Sequence, residues 1–420
     1  MTLWNQSFYK SNKKLALVLR CYYNQLSELN MLFNIALIAT VALVFYMLFE
    51  LVKIPGIIGM ILAGVILGPA GFDFILPDVL KFSTDLRSIA LIVILIRVSF
   101  SIKRSEMNLV GPVAIKMGII PVIIETGFIA IFAIYFLQMD YLIALVMGLV
   151  ISSVSPAIVV PHMMDLKEKI NGSQKHIPTI LLAGAAIDNI FVITIFNALV
   201  QMSSSQEKHL VTMLVKIPLG IVLGILLGVA LGYLFIKFFK KFHVRDTKKV
   251  IVFLVIAIVL LKIETIIPIP ISGLIAIMAI GFIILEKYEV LAHRLSQKFS
   301  KVWVLAEIIL FVLVGAQLDL HSLLGVGPYG LLLIGLGLVG RSLGIFLSLR
   351  GQPLNCKENI FCIISFVPKA TVQAALGAIP LSLGLPHGDI ILAISVLSII
   401  ITAPLGALGI KWSCKHLLKH

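Results

Sequence analysis

The sequence predicts an all-α protein that sits in a bilayer and crosses it about thirteen times. Three observations carry this. Hydrophobic residues make up 60% of the 420 residues and charged residues only 13%, a balance far more apolar than that of soluble domains. Apolar stretches near the twenty residues needed to cross ~30 Å of hydrocarbon recur along the chain. Basic residues, finally, gather in alternate connections between those stretches.

In chain order the stretches lie at 31–51, 54–69, 86–102, 110–138, 141–163, 177–201, 209–236, 249–263, 266–285, 302–318, 327–349, 359–382 and 388–410, of which the second and the eighth are short. The third carries Arg97, the fourth Glu125, the sixth Asp188 and Asn189, the eleventh Arg341 and the twelfth Lys369. The fifth and twelfth are interrupted by "SSVSPAIVVP" and "SFVPKATVQAALG". Residues 1–30 form a basic N-terminal segment, read as an interfacial helix or an extra membrane segment. Residues 31–410 form the membrane domain and 411–420 a basic tail.

The net charge of +14 is topological and does not point to nucleic acid. Lys103 and Arg104, then Lys167, Lys169 and Lys175, the group from Lys240 to Lys249, the group from Lys287 to Lys301, Lys357, and Lys411 to Lys419 fall on one side. The connections on the other side hold Lys81, Arg87, Lys208 and Lys262. The positive-inside rule makes the first side cytoplasmic, together with the C-terminus. The basic residues Lys10 to Arg20 conflict with the outside location that an odd number of spans gives the N-terminus.

Cys21, Cys356, Cys362 and Cys414 show no CxxC spacing, and no HExxH occurs, so neither a redox centre nor a metalloprotease is indicated. No GxxxxGK[ST] occurs, and the longest polar connections, 164–176, 237–249 and 286–301, are too short for a nucleotide-binding domain. The chain therefore needs no cofactor, and its driving force is an ion gradient.

Charges in mid-membrane are costly and face a partner or a cavity. Arg97, Glu125, Asp188, Arg341 and Lys369 qualify, and as two carboxylates with three cations they partly neutralise one another. Glu125 with Arg341 is the favoured pair, which leaves Asp188 and Lys369 for chemistry. Lys116 and Lys216 are expected to snorkel, and Glu307 and Asp319 fall near span ends.

The prolines and hydroxyls around Ser153, Ser155 and Pro156, and around Pro368 and Thr371, predict that both spans unwind in mid-membrane, because proline removes an intrahelical hydrogen bond and serine re-satisfies freed groups. Two broken helices in the two halves of a chain point to an inverted-repeat transporter with its site at the midplane.

"SPAIVVPHMMDLKEK", "HIPTILLAGAAIDNIFVITIFN" and "VPKATVQAALGAIPL" closely resemble the NHA-type sodium/proton antiporters of the monovalent cation:proton antiporter superfamily, as do "IPGIIGMILAGVILGP", "PVIIETGF", "FVLVGAQLDL" and "GRSLGIFLSL". The resemblance runs from about residue 50 to 410. It implies a homodimer in which each protomer has a dimerisation domain and a core domain. In the core, two unwound helices cross beside an ion-binding carboxylate, and the core moves like an elevator. It also implies an ion pair between Glu125 and Arg341.

The sequence departs from the family at the carboxylate pair, which reads Asp188–Asn189 where NHA-type members carry two aspartates, the second binding the cation. Asn189 still offers a carbonyl oxygen, but adjacent helical residues point ~100° apart and do not share a face. A modest rotation of this helix, or a hydrated site, brings Asp188 into use. The expected activity is antiport of Na+ or Li+, or of K+, against protons across the cytoplasmic membrane. Proton and cation compete for Asp188, one for one, or electrogenically if Lys369 also changes protonation. The alternatives are a K+/H+ antiporter, an organic-anion symporter on a related fold, and a non-transporting sensor on the same scaffold. An intramembrane aspartyl enzyme lacks its second deep aspartate.

Overall fold

The computed structural model describes residues 31–100, 104–169, 176–204, 210–242, 244–266 and 271–418. Residues 1–30, and with them the basic N-terminal segment, lie outside the described residues, as do Lys103, Lys175 and Lys208.

The described elements are helices, as a chain in hydrocarbon must be to satisfy its own backbone groups. They run α1 Met31–Leu51, α2 Gly56–Leu67, α3 Pro77–Lys81, α4 Ser83–Ser99, α5 Arg104–Leu137, α6 Tyr141–Ser152, α7 Pro156–Lys169, α8 Ile177–Ser204 and α9 Leu210–Lys241. Then follow α10 Asp246–Ile266, α11 Gly273–Lys287, α12 Glu289–Ala316, α13 Leu320–Leu349, α14 Cys356–Ser365, α15 Thr371–Leu376, α16 Ile379–Ser382 and α17 Gly388–Leu417.

Every predicted stretch is occupied by a helix or a broken helix. Among the described residues eight are long and apolar enough to cross a membrane: Phe33–Leu51, Val110–Leu137, Tyr141–Lys167, Ile177–Val200, Pro218–Lys241, Glu289–Ala316, Gly325–Leu349 and Gly388–Leu417. The other stretches hold shorter or more charged helices.

Three boundaries differ from expectation, each because polar residues continue a helix beyond the apolar stretch. The predicted loop 286–301 shrinks to Tyr288, since α12 begins at Glu289. The helices α9 and α10 likewise take up most of 237–249, and α17 carries the basic tail as helix to Leu417. Arg87, assigned from sequence to a connection, lies inside α4 and is 2% exposed. Its Nε donates to the Ser83 carbonyl and its Nη2 to Thr84 Oγ1.

The helices pack as two groups. In one, α5 lies against α13, α8 and α6, and α17 against α13, α14, α7 and α15. In the other, α12 packs on α2 and α4, α11 on α9, α10 and α4, and α1 on α2. The groups meet where α15 rests on α4 and α12, and where α8 rests on α9 and α11. The first group contains both broken helices and is called the core; the second is the scaffold.

Within the scaffold, α2 and α12 approach backbone to backbone. A Cβ on Gly64 would overlap the Val312 carbonyl, and one on Gly315 the Ile61 carbonyl. Neither obstacle is a flexible side chain, so overpacking here has no cheap relief. Gly64→Val is expected to destabilise by ~1–3 kcal/mol, read as a lowered Tm in detergent, whereas a valine at Gly325, where nothing lies within 4 Å, should leave Tm unchanged.

Candidate ion-binding site

Two gaps in the helices build the site. Between α6 and α7, Ser153 is extended (φ −67°, ψ 139°) and Ser155 precedes Pro156, a sequence that disfavours the helical region. Pro156 then opens α7 at the position where its missing N–H is harmless. The second gap runs from Phe366 to Ala370 around Pro368. The two gaps cross: Ser155 N donates to the Pro368 carbonyl at 2.9 Å, and the Ser155 and Thr371 hydroxyls are 3.5 Å apart. From α17, Thr402 Oγ1 accepts from Lys369 N at 2.9 Å. Both predicted discontinuities are therefore present, and backbone groups opened by them find partners on the other gap, as Ser155 N does, or on side chains, as Lys369 N does on Thr402.

Proline alone does not break these helices. Pro112 and Pro121 in α5, Pro218 in α9, Pro328 in α13 and Pro404 in α17 sit in continuous helix. The two gaps differ in having a second unwound strand to bond.

Four charged side chains converge on the crossing. Asp188 from α8 is 0% exposed, and Glu125 from α5, Arg341 from α13 and Lys369 from the second gap are each 1% exposed. Arg341 Nη2 donates to Asp188 Oδ2 at 2.5 Å, and its Nη1 to Glu125 Oε2 at 3.0 Å and to the Ser152 carbonyl. Lys369 Nζ donates to Glu125 at 2.8 and 2.9 Å and to the Ser152 carbonyl at 3.0 Å. The far oxygen of Asp188 accepts from Val154 N at 2.9 Å and from Ser153 Oγ at 3.3 Å. Two carboxylates face two cations, so with all four ionised their formal charges cancel.

The pairing expected from sequence is thereby corrected. Glu125 does hold Arg341, but Arg341 is shared with Asp188, and Lys369 is bonded to Glu125 rather than free. Arg97 does not belong to this balance. It lies over the Trp303 ring, 5.5 Å from its centroid, on the wall of a cavity between the scaffold helix α4 and the first turn of α7.

Asn189 does not turn away from the site, since Ser153 Oγ reaches both neighbours, with 2.7 Å to Asn189 Oδ1. The ~100° between adjacent helical residues is bridged by a third group lying across them. One further residue, passed over in the sequence, belongs here. Gln373, on α15 and 0% exposed, donates Nε2 to the Ser153 carbonyl at 2.6 Å and to the Ile151 carbonyl at 3.2 Å. Its signal was a lone amide within an apolar half-helix.

A cavity of about 830 Å³ runs between core and scaffold, from His293 and Lys167 at its outer end to Pro156 and Ala157, the first turn of α7. Arg97, Trp303 and Glu307 line its wall. Glu307, expected near a span end, stands well inside α12, because that helix starts thirteen residues earlier than the apolar stretch at 302–318. The cavity ends one residue from Ser155, and the quartet behind it is closed off.

Two crossed helix breaks beside a buried carboxylate, with Glu125 bonded to Arg341, are what the resemblance implies, and comparison with known proteins names the family. Residues 36–416 match the family described as sodium/hydrogen exchanger, transmembrane. The chain belongs to the sodium/hydrogen exchanger family. It is 31% identical over 404 residues to human sodium/hydrogen exchanger 9B2, covering 90% of this chain and 73% of that protein. The 9B2 protein of Bison bison bison is 32% identical over 397 residues, covering 90% and 74%. Human sodium/hydrogen exchanger 9B1 is 29% identical over 382 residues, covering 84% and 71%. In fold it is similar to the sodium proton antiporter MjNhaP1 from Methanocaldococcus jannaschii, with a TM-score of 0.78 at 20% identity, covering 92% of this exchanger and 98% of that chain. This exchanger is a multi-pass membrane protein that trades a monovalent cation for protons, and the non-transporting alternative is not favoured.

Proposed function

We propose that the exchanged cation is Na+ or Li+, that it binds at Asp188 with Asn189 and Ser153, and that the proton it replaces is carried by Lys369. The observation that carries this is the pairing of two buried carboxylates with two buried cations, whose formal charges cancel. A desolvated cluster resists any step that leaves it charged. When a cation enters, one positive charge must leave, and the Lys369 ammonium is the group in the quartet able to release a proton, since a guanidinium stays charged. Arg341 then moves fully onto Glu125, which has lost its lysine, and Asp188 Oδ2 is freed for the cation. Hard monovalent cations take oxygen ligands, and the Asp188 carboxylate, Asn189 Oδ1 and Ser153 Oγ provide them. The lone carboxylate expected from sequence is thus replaced by a relay through Arg341, while exchange stays one for one.

The cavity gives the route. Its outer end lies by Lys167 and His293, close to Arg294, Lys298 and Lys301, so the positive-inside rule reads it as cytoplasmic and puts the C-terminus on that side. The cell membrane is the membrane this reading assigns. Movement of core against scaffold exposes the same site to the other face, and a homodimer would form through the scaffold, whose helices α1 and α9 expose Met47, Leu51, Leu226 and Leu234.

The test is exchange in everted vesicles. Dequenching of a pH dye is expected on adding Na+ or Li+, with K+ run alongside, and Asp188→Asn should abolish the response. A variant that exchanges as the unmodified protein does would remove Asp188 from the mechanism.

A further inference from the structure

The second aspartate of NHA-type members is Asn189 in this chain, so the cation must find its missing ligand strength elsewhere. Among the described residues the site contains three side-chain atoms that are buried and unpartnered, Arg341 Nε and, on two neutral amides, Gln373 Oε1 and Asn189 Nδ2. Both amides are tied to Ser153, Asn189 through the Ser153 hydroxyl and Gln373 through the Ser153 carbonyl.

The orientation of the Gln373 amide follows from chemistry. The two groups it faces, the carbonyls of Ile151 and Ser153, can only accept, so the nitrogen must point at them. Its oxygen is therefore turned away with no donor, a cost native interiors avoid unless the atom has a use. The same carbonyls belong to the unwound end of α6, where the last backbone oxygens have no partner within the helix. Gln373 covers them with a neutral donor in just the place where a cation would do the same.

We propose that Gln373 is a cation-binding residue of this exchanger. When the cation arrives it takes over the Ile151 and Ser153 carbonyls, and the displaced amide turns to present Oε1 as a further oxygen ligand. Two carboxamides, Asn189 and Gln373, then replace the absent carboxylate without adding charge, which keeps the loaded site neutral. This deepens the reading above and rests on it.

The experiment uses the full chain, purified in NaCl and exchanged into choline chloride, with NaCl or LiCl added back as the probe. Gln373→Leu is expected to raise the KM for Na+ and Li+ about tenfold with a smaller change in kcat, and to lose the rise in Tm that the cation gives the unmodified protein. Gln373→Glu separates a ligand from a mere tie between helices. A carboxylate facing two carbonyls is repelled without a cation and held with one, so its Tm in choline should fall and its rise with Na+ should exceed that of the unmodified protein. A rise equal to or smaller than that of the unmodified protein, or an unchanged KM in Gln373→Leu, overturns the proposal. Asp188→Asn is measured beside them. If it is dead while the Gln373 variants keep the KM and the Tm response of the unmodified protein, this inference alone falls; if it exchanges normally, the reading of the site falls with it.

Discussion

Replacing Arg341 by methionine is expected to cost ~3–5 kcal/mol of stability, enough to leave little folded protein. The side chain is 1% exposed and holds Asp188, Glu125 and the Ser152 carbonyl at once. Without it two carboxylates remain buried against one lysine, and the last turn of α6 loses one of its two cationic partners. The charge balance also predicts the remedy. Arg341→Met combined with Asp188→Asn restores a neutral site, Glu125 against Lys369, and should regain most of the lost Tm while remaining inactive in exchange. Size-exclusion profiles and thermal melts in detergent read both. If the single variant melts with the unmodified protein, Arg341 does not hold the quartet together and the relay has no basis.

The sequence showed which charges lie deep but not how they pair. Five ionisable residues in apolar stretches are conspicuous because hydrocarbon tolerates so few. Pairing, by contrast, depends on which helix faces the crossing, and Arg97 and Lys369 look alike as isolated cations in one-dimensional text. Only the packing of α4 into the scaffold sends Arg97 toward Trp303 and the cavity. The breaks were legible for a related reason. Prolines with serines nearby marked both, yet six prolines of the described residues, Pro161 among them, sit inside continuous helix, and the difference lies in a strand from the other half of the chain that no local pattern reveals. Gln373 stayed hidden because a neutral amide carries no electrostatic alarm. The same holds for the contact between Asn189 and Ser153, made possible by an element 36 residues away lying across two helical directions.

Lys369→Met is expected to abolish proton-coupled exchange while leaving cation binding in place. The sign follows from the count of charges. In the unmodified protein the cation replaces a proton on Lys369, so over the range where that ammonium is formed its apparent affinity should fall about tenfold for each unit by which pH drops. The Na+-induced rise in Tm should accordingly grow from pH 6 to pH 9, roughly the range in which such a competition is readable. With methionine, Glu125, Asp188 and Arg341 leave one net negative charge, which on the present reading a bound cation neutralises. Binding should then be tighter, independent of pH, and futile, because the loaded core has no proton-carrying form to return in. The vesicle response to Na+ should vanish although the Tm rise persists. Loss of folding is separable from loss of coupling, since Lys369→Met with Glu125→Gln leaves Asp188 against Arg341 and no net charge, and should melt near the unmodified protein. Residual exchange in Lys369→Met, or a Tm rise that still depends on pH, would move the proton from the lysine to a carboxylate of the quartet.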